Sequence, residues 1–507
     1  MARFQSPLRW LVTLAALLLV LALALRPSLE RSISEPEAPA QPSPPELAEA
    51  PGSIDEEPLP KLHSLAEVDL DQAPARRQLD LQHWTTVQGA RVYFMRADEL
   101  PMLDVRLTFA AGASRDEDLP GLATLTNAML NEGTGERDAG SIAAGFEQLG
   151  AEFENSAHRD MAIAGLRSLT AEDKLTPALD LFTAVVARPS FPEEALERLR
   201  DQMLAGLRFR LQRPSALASE AFWTDLYPAH PYGTLPQGQA ESLVQIDREQ
   251  LREFHQRYYS AGNAVIALVG AIDREQAERI ARRIAEALPQ GRAASPIADP
   301  FPIEPGHRHI DFDSQQTHIL LGQHGISRND PDYAALYVGN QILGGSGFGS
   351  RLMEQIRETR GLSYSVSSSL VPMQAKGPFM ISMQTRADQV ELALEVIHDS
   401  LDQFIEIGPS EAELQRTKRQ IMGEFALSTA SNAAIVGQLG MLGFYDLPLN
   451  HLQLFLERVQ ALSVEDVRAA FARHFDPENR LVVTVGPTHD EARTETPTET
   501  AEQEPEA

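Results

Sequence analysis

Two stretches of sequence that repeat one another decide the fold: VRLTFAAGASRDEDLPGLATLTNAML (105–130) and HILLGQHGISRNDPDYAALYVGNQIL (318–343). Gly112 of the first copy aligns with Gly325 of the second, an offset of 213 residues. Each copy reads as a strand, a polar turn and an amphipathic helix. The sequence NAVIALVG (263–270) likewise matches NRLVVTVG (479–486). A repeat of this length indicates a duplicated domain and not a solenoid unit.

The repeat divides the body of the chain into two halves. Strands such as 105–109 alternate apolar and polar residues, and helices such as 175–187 and 389–407 have one apolar face that would cover one side of a sheet. The sequence therefore predicts an α+β fold built from two tandem homologous α/β halves. The predicted bounds are 79–290 for the N-terminal half, 291–306 for a Pro-rich linker and 307–488 for the C-terminal half.

The composition limits the classes of function. A chain of 507 residues is too long for one ordinary core, so two or more globular units are expected. The net charge of −28 argues against nucleic-acid binding, which needs basic patches to displace counterions. The sequence has no cysteine, which excludes disulfides, thiolate zinc ligands and cysteine nucleophiles.

The N-terminal 30 residues carry the features of an export signal. Arg3 and Arg9 precede an apolar run, 10–25, whose helix would be about 24 Å long, short of a ~30 Å hydrocarbon core. The run also contains an A-x-A cleavage pattern at 22–24. Residues 1–30 are therefore predicted to be either a cleaved signal peptide or an uncleaved membrane anchor. Either one exports the rest of the chain to the periplasm, where an uncleaved 10–25 segment would hold it at the inner membrane.

Two further segments lack the apolar residues of a core. Residues 31–78 are rich in Pro, Glu, Ala and Ser and are predicted to be a disordered spacer between the export segment and the body. Residues 489–507 form a Thr/Glu/Pro-rich acidic tail that is predicted to be disordered as well. Both segments are excluded from the predicted fold.

The helix predicted within DLPGLATLTNAMLNEG (118–133) raises a question about metal binding. Its apolar residues recur at helical spacing and form an inner face. Thr124, Asn127 and Ala128, at offsets of zero, three and four residues, share another face. A zinc-binding helix uses this arrangement for two imidazoles and a general base. Here none of the three residues is a good metal ligand.

Three segments carry a resemblance to a known family: GLATLTNAML (121–130), HPYG (230–233) and LGGSGFGSRLMEQIRETRGLSYSV (343–366). Together with the duplication, which covers residues 79–487, they resemble the insulinase-type, or pitrilysin-type, zinc metallopeptidases. The resemblance implies the mitochondrial-processing-peptidase-like metallohydrolase fold, whose similar halves face each other across a chamber. A chain of two such halves is then expected to form half of a clamshell.

In that family the active members carry H-x-x-E-H on the first helix, with a glutamate further along as the third ligand. Carried over by position, the two histidines fall on Thr124 and Ala128, and the base glutamate falls on Asn127. The distal ligand falls on Gly206, within ERLRDQMLAGLR (197–208). A catalytic zinc site needs three imidazole, thiolate or carboxylate donors, so this degenerate site implies no metal in the chain.

In contrast to the lost zinc ligands, two functional residues of the family are retained in the C-terminal half. In the family, an arginine and a tyrosine seven residues apart reach the substrate at the zinc, and Arg357 and Tyr364 keep that spacing. A guanidinium and a phenol can stabilise the negative charge that builds on an attacked peptide carbonyl. The segment before them is predicted to be a binding loop, since glycines allow close backbone approach and positive φ. Its residues are Gly344, Gly345, Ser346, Gly347 and Gly349.

The residues singled out also have plain structural interpretations. In LSYSVSSSL, Tyr364 falls on the apolar side of an alternating strand, which by itself indicates a core aromatic. Arg351 and Arg360 are expected to be solvated helix residues. His158 is predicted to be structural, and His230 is predicted to belong to a packed turn.

The resemblance leads to one preferred function and two alternatives. The preferred hypothesis is a non-catalytic, substrate-binding subunit of an exported heteromeric zinc peptidase. A homologous partner chain with intact H-x-x-E-H would hold the zinc, and this chain would supply Arg357 and Tyr364 to a peptide substrate. One alternative is a stand-alone pseudo-peptidase that acts as a binding or assembly module. The other is a homodimeric enzyme with unfamiliar ligands.

Overall fold

The computed structural model describes residues 79–488. The predicted export segment, spacer and tail lie outside the described residues. Between residues 79 and 488, no helix combines the length and the apolar character needed to cross a membrane.

The strands form two main sheets, one for each half. The N-terminal half contributes β1 (Gln82–Thr85), β2 (Arg91–Arg96), β3 (Met102–Phe109), β4 (Gly133–Thr134), β5 (Arg137–Asp138), β6 (Glu152–Ala157), β7 (Ala162–Leu169) and β8 (Ala264–Gly270). The C-terminal half contributes β9 (Gly306–Asp311), β10 (Gln316–His324), β11 (Val366–Leu370), β12 (Pro378–Arg386) and β13 (Leu481–Gly486). The first sheet has the order β1-β2-β8-β3-β7-β6 and the second has the order β11-β12-β10-β13-β9, while β4 and β5 pair separately.

The two sheets share one topology. In the first, β2 is parallel to β8, and β3, β7 and β6 follow with antiparallel pairing. In the second, β9 is parallel to β13, and β10, β12 and β11 follow with antiparallel pairing. The repeated sequences therefore fall on equivalent strands, β3 with β10 and β8 with β13. The prediction of two tandem halves in an α+β fold is confirmed.

Helices cover these sheets in both halves. Those of the N-terminal half are α1 (Leu122–Ala128), α2 (Ala139–Leu149), α3 (Glu172–Ala187), α4 (Glu193–Arg210), α5 (Pro214–Leu226), α6 (Ala240–Leu243), α7 (Arg248–Tyr258) and α8 (Arg274–Ala287). Those of the C-terminal half are α9 (Tyr333–Asn340), α10 (Arg351–Met353), α11 (Val390–Ile407), α12 (Glu411–Ser428), α13 (Asn432–Phe444), α14 (His451–Ala461) and α15 (Val464–His474). Helices α9 and α10 continue as π-helical turns at Gln341–Gly345 and Glu354–Glu358.

Helix α1, which carries the degenerate zinc face, is shorter than the sequence pattern predicts. It ends at Ala128, and a 3₁₀ turn follows before the chain enters β4 at Gly133. The buried carboxylate of Asp116 accepts the N–H groups of Gly121 and Ala123, each at 2.7 Å, and so satisfies donors left free at the helix start. Burial raises the pKa of Asp116 to about 8.

Each half also contributes one helix to the sheet of the other half. Helix α5 packs on β10 and β13, where Phe222 and Val483 belong to one buried cluster. Helix α13 packs on β2, β3 and β8, where Leu439 and Val265 belong to another. At Gly443 of α13 a Cβ would lie 2.3 Å from Val265 Cγ1, so only glycine allows this approach. The two halves therefore cover each other's sheets and share buried clusters.

This exchange overturns the expectation that helices cover one side of each sheet. On β3, Val105 and Leu107 lie in the N-terminal core as predicted. Thr108, on the opposite face, is also buried, because α13 lies against it. A Cβ added at Gly440 of α13 would be 3.2 Å from Thr108 Oγ1. Periodicity identified the inward face of this strand but not the helix that covers its other face.

The segment between α8 and β9 crosses the junction of the halves. Residues 288–305 contain no helix or strand, and β9 begins at Gly306, the last residue of the predicted linker. Arg115 of the N-terminal half donates to Ser295 O (2.7 Å), and the N–H of Lys376 in the C-terminal half donates to Asp299 Oδ1 (3.0 Å). The linker is thus hydrogen-bonded to both halves.

Candidate functional site

The position of the family's base glutamate lies in a buried hydrogen-bond network. Asn127 is 2% exposed, and its Nδ2 donates to Ile163 O (3.2 Å) and to the hydroxyl of Tyr259 (3.1 Å). Its backbone carbonyl accepts from Asn155 Nδ2 (2.6 Å). Both protons of the Asn127 amide are therefore used inside the N-terminal half. The side chain thus holds α1 against the sheet.

The other three degenerate positions offer no metal donor either. Thr124 and Ala128 are half-buried, and the Thr124 hydroxyl donates to Pro236 O. Gly206 is exposed on α4, and a Cβ placed there would have no neighbour within 4 Å. Zinc is held by imidazole, thiolate or carboxylate groups, which are absent from all of these positions. The residues present do not fit a catalytic zinc.

Among residues 79–488, one group of side chains has donor atoms close enough to hold a metal ion: Asp330, Asp332 and His474. The oxygens of Asp332 already accept from Arg473 (2.8 and 2.9 Å), and one also accepts from His474 Nε2 (2.9 Å). The hydrogen bond from Arg473 lowers the pKa of Asp332. A cation would have to displace Arg473, so the group is best described as an ion-pair network at the start of α9.

Arg357 and Tyr364 are brought together by a tight reversal of the chain. Arg357 lies in the π-helical turn Glu354–Glu358, a conformation that is frequent at functional sites. Gly361 ends this helix with a φ of +63°, and its N–H donates to Arg357 O (3.1 Å). The next residue, Leu362, is buried and anchors the turn. The reversal returns the chain to Arg357 within seven residues, which explains the spacing of the pair.

The interpretation of Tyr364 as a core aromatic is wrong. Its side chain is 76% exposed, whereas Leu362 and Val366 are buried. Strand β11 begins only at Val366, so strand alternation does not extend to Tyr364. The hydroxyl of Ser363 donates to Ser365 O (2.8 Å) and accepts from the Ser365 N–H (3.2 Å), which fixes a turn at Tyr364. The local sequence therefore directs the phenol out of the core.

The guanidinium of Arg357 contacts two aromatic rings. Its Cζ lies 4.4 Å from the ring centroid of Tyr364 and 4.8 Å from that of Phe348, within the range of cation–π attraction. Arg357 makes no side-chain hydrogen bond or ion pair with another residue of the described range, and its Nη1 is buried without a partner. The N–H groups on Nε and Nη2, which are neither buried nor paired, are therefore available to a group from outside the described chain.

The glycine-rich loop reaches this pair through Phe348, a residue that the sequence analysis did not single out. Phe348 is 71% exposed and lies between Gly347 (φ +68°) and Gly349 (φ +89°). Both glycines adopt the left-handed region that favours glycine. A lone large apolar residue between two glycines is the sequence signal that could have identified it.

The first two glycines of the loop serve packing instead. A Cβ at Gly344 would lie 2.7 Å from the backbone nitrogen of Ser368, and one at Gly345 would lie 2.7 Å from Asn340 Nδ2. The N–H of Ser346 donates to Gln341 O (3.2 Å) and closes the π-helical turn. The loop is thus packed tightly where it begins, whereas a Cβ added at Gly347 or Gly349 would meet no atom within 4 Å.

Arg351 is not the solvated residue that the sequence led us to expect. It forms a bidentate ion pair with Glu413, with Nε and Nη2 at 2.7 and 2.8 Å from the two carboxylate oxygens. Burial would raise the pKa of Glu413, but hydrogen bonds from Arg351 and Ser410 outweigh burial and lower it to about 2. Arg360 is exposed as expected, with Nη1 bonded to Gln355 Oε1 (2.7 Å). The Arg351–Glu413 pair ties α10, just after the loop, to the start of α12.

The two histidines of the sequence analysis have structural partners. His158 Nε2 lies 3.3 Å from Ser156 Oγ, and burial, with a smaller contribution from Arg106, lowers its pKa. His230 Nδ1 accepts from the Tyr232 N–H (3.1 Å), and its Nε2 donates to Ala298 O (2.9 Å). His230 therefore caps a packed turn, as predicted. Tyr232 in that turn is fully buried.

Family models match both halves of the chain. The model described as insulinase (peptidase family M16) matches residues 95–234, and the model described as peptidase M16 inactive domain matches residues 245–421. Together the two matches span most of the described residues.

Individual relatives agree with these models. A non-peptidase homolog, YmxG, of Helicobacter pylori is 28% identical over 74% of this chain and 87% of its own length. An uncharacterized zinc protease of Streptomyces coelicolor is 26% identical over 74% of this chain and 83% of its own length. A crystal structure of a peptidase M16 inactive domain from Pseudomonas fluorescens superimposes with a TM-score of 0.79 and 50% identity, covering 81% of this chain and 98% of that one. With half of its residues shared over nearly the whole of the Pseudomonas domain, the chain belongs to the insulinase-type peptidase family M16.

Proposed function

We propose that this chain is the non-catalytic, substrate-binding subunit of an exported heteromeric M16-type zinc peptidase. In this proposal a homologous partner with intact H-x-x-E-H holds the zinc. This chain supplies half of the chamber, together with Arg357 and Tyr364, to a peptide substrate at the partner's site.

The observation that carries the proposal is the exposed Tyr364 beside a half-buried Arg357 that has no side-chain hydrogen bond or ion pair within the described residues. A tyrosine that served only the core would be buried, and Tyr364 is 76% exposed. Arg357 has no carboxylate partner among the described residues, and its Nη1 is buried without a hydrogen bond. Buried polar atoms without a partner are uncommon in native proteins, but Nη1 of Arg357 is one of 18 such side-chain atoms among the described residues, so the exposure of Tyr364 supports the proposal more strongly.

The chemistry of the pair suits the attack on a peptide carbonyl. Negative charge develops on the carbonyl oxygen in the transition state, and donors aimed at that position stabilise it. The guanidinium of Arg357 offers a permanent positive charge and several N–H donors, and Tyr364 offers a phenolic O–H. Neither residue needs to touch the metal to act in this way. The zinc chemistry would belong entirely to the partner chain.

The loss of the zinc face supports the same division of labour. Asn127, at the base position, is committed to Ile163 and Tyr259, so the face cannot be converted to a metal site by a small movement of side chains. The chain is also related to a protein named as a non-peptidase homolog. The proposal that the chain is exported is based on the apolar run at residues 10–25, which would be either cleaved with a signal peptide or retained as a membrane anchor.

A stand-alone binding or assembly module is the alternative from a different class. Such a module could keep the fold and the exchanged helices but would not need an exposed tyrosine beside an unpaired arginine. The retention of both residues favours a contribution to catalysis in the partner's site.

The first experiment tests dependence on a partner. Purified alone, the chain should hold no stoichiometric zinc after dialysis against trace zinc and should cleave no peptide, because Thr124, Asn127, Ala128 and Gly206 offer no donors. Co-expressed with a similar chain that carries H-x-x-E-H, it should form a complex more active than that partner alone. One zinc per chain with peptidase activity in the isolated protein would refute the proposal, and an inactive complex would favour the assembly module.

The second experiment tests the role of Tyr364 in the complex. Tyr364→Phe should lower kcat roughly 10²–10³-fold, the usual loss for one oxyanion donor, with zinc content and assembly unchanged. Tyr333→Phe is a matched control, because Arg328 also lies over the ring of Tyr333 (4.6 Å) and donates to its hydroxyl (3.1 Å). The control should keep the wild-type kcat. If Tyr364→Phe does so too in an intact complex, the chain is a structural partner only.

A further inference from the structure

We propose that Phe348 is a positioning residue that holds the guanidinium of Arg357 in its working orientation without neutralising it. The inference rests on the proposed function and extends it to a residue outside the Arg/Tyr pair. Its basis is the contact of the Arg357 guanidinium with the rings of Phe348 and Tyr364, at 4.8 and 4.4 Å.

The exposure of Phe348 shows that core packing does not explain it. Its side chain is 71% exposed, and it belongs to none of the buried clusters of the described range. A large apolar side chain on a loop gains little stability from such a position. The one aromatic contact that it makes within the described residues is with Arg357.

The loop that carries Phe348 is held on both sides. The Ser350 hydroxyl donates to Gly347 O (2.7 Å), and Arg416 Nη2 donates to Gly349 O (3.3 Å). The positive φ angles of Gly347 and Gly349 turn the backbone on either side of the ring. The loop therefore presents the ring of Phe348 at a defined place next to Arg357.

Arg357 differs from most other arginines of the C-terminal half in having no side-chain hydrogen bond or ion pair within the described residues. Five others are paired with carboxylates: Arg351 with Glu413, Arg386 with Asp388, Arg468 with Glu465, Arg473 with Asp332 and Arg480 with Asp402. Arg328 also lies over two rings, those of Tyr333 and Tyr445, but it donates to the Tyr333 hydroxyl as well. A carboxylate orients an arginine but neutralises its charge and occupies its donors. An aromatic face attracts the cation and leaves the N–H groups free. Two rings are thus a means of fixing Arg357 while keeping its charge available to a substrate oxygen.

The test in the active complex compares three substitutions at Phe348, with a fluorogenic peptide as substrate. Phe348→Ala and Phe348→Leu should lower kcat roughly 3–30-fold and change KM less. A misdirected guanidinium reduces the stabilisation of the transition state more than it reduces the binding of the substrate. Phe348→Tyr keeps an aromatic face and should retain most of the activity. In an Arg357→Ala background, Phe348→Ala should have little further effect, since the two residues act as a unit.

The outcomes separate this inference from the proposed function. If Arg357→Ala lowers kcat but Phe348→Leu matches the wild type, the positioning role is wrong and the proposed function stands. If Arg357→Ala leaves kcat unchanged, the proposed function fails and the positioning role fails with it. Equal losses for Phe348→Tyr and Phe348→Ala would also overturn the inference, because the aromatic face would then be irrelevant.

A second measurement needs neither the partner nor a substrate. Phenylglyoxal modifies arginines, and digestion followed by mass spectrometry gives the rate at Arg357 and, as an internal control, at the exposed Arg360. Phe348→Ala should accelerate modification of Arg357 roughly two- to fivefold, the factor represented by one exposed cation–π contact, and leave Arg360 unchanged. An unchanged rate at Arg357 would show that the ring does not restrain the guanidinium.

Discussion

Replacing Asn127 by aspartate tests whether the former base position is now part of the core. Asn127→Asp keeps the shape of the side chain and exchanges an NH₂ donor for an oxygen. The 3.2 Å hydrogen bond to Ile163 O then becomes a contact between two acceptors. The Tyr259 hydroxyl can rotate and donate to the introduced carboxylate, so that contact survives in another form.

The expected cost follows from these contacts. One buried hydrogen bond is lost, at about 1 kcal/mol net, and an acceptor left unsatisfied in a buried site costs roughly 1–3 kcal/mol more. Asn127→Asp should therefore lower the free energy of unfolding by roughly 2–4 kcal/mol at pH 7.5. Because the two halves share buried clusters, residues 79–488 are expected to unfold as one unit. An unfolding entropy of about 2.1 cal/mol/K per residue then gives a Tm shift of roughly 1.2 °C per kcal/mol, so a decrease of roughly 2–5 °C is expected.

The pH dependence of Tm identifies the cause. Burial raises the folded-state pKa of the introduced carboxyl above its unfolded value of about 3.9, and the protonated form can donate to Ile163 O. The loss of stability caused by Asn127→Asp is therefore present at neutral pH and should become smaller as the pH falls through the folded-state pKa of the introduced carboxyl. Differential scanning fluorimetry of wild type and variant at several pH values measures this gap. Ala128→Ser, at the half-buried neighbouring position, is the control and should change stability by no more than about 0.5 kcal/mol.

Two results would contradict this reasoning. A wild-type Tm for Asn127→Asp at pH 7.5 would mean that the amide network is not needed. A Tm gap that widened on acidification would mean that the introduced carboxylate is stabilised in the folded state. In either case the zinc face would be a vacant surface and not a part of the core.

Two further predictions concern stability. Glu413→Gln should lower Tm at pH 6 and less at pH 3: the pKa of Glu413 is lowered to about 2, so its contribution is complete above the unfolded value of 4.5 and is lost as the pH falls towards 2. Gly443→Ala should destabilise by roughly 1–3 kcal/mol through overpacking against Val265, as chemical denaturation would show. Gly437→Ala on the same helix meets no atom within 4 Å and should be neutral or stabilising by up to about 1 kcal/mol, and equal effects at the two glycines would contradict the close packing of α13.

Much of the fold could be predicted because the repeat appears directly in the residue pattern. Segments 105–130 and 318–343 each contain a strand, a turn and a helix, and copies of one sequence adopt one topology. The exchange of α5 and α13 could not be predicted in this way. An apolar face shows that a helix is covered but not which sheet covers it, since that depends on contacts between residues far apart in sequence.

The candidate site, like the fold, could be predicted from the sequence only in part. The absence of zinc donors at Thr124 and Ala128 follows from residue type alone, since ligand chemistry does not depend on the surroundings. The network around Asn127 depends on Tyr259, which lies far along the chain, so no local pattern reveals it. The exposure of Tyr364 depends on where β11 begins, and element boundaries are the least predictable feature of a sequence.

The exchange of helices has a consequence for biosynthesis. Phe444, the last residue of α13, follows Gly270, the last residue of β8, by 174 residues. A ribosome that adds about 5–20 residues per second needs roughly 9–35 s for that distance. During this interval the strand face that includes Val265 and Val269 has no helix to cover it, and a nascent sheet in that state is a target for aggregation and for chaperones. The N-terminal half reaches its native state only after nearly the whole chain has been made.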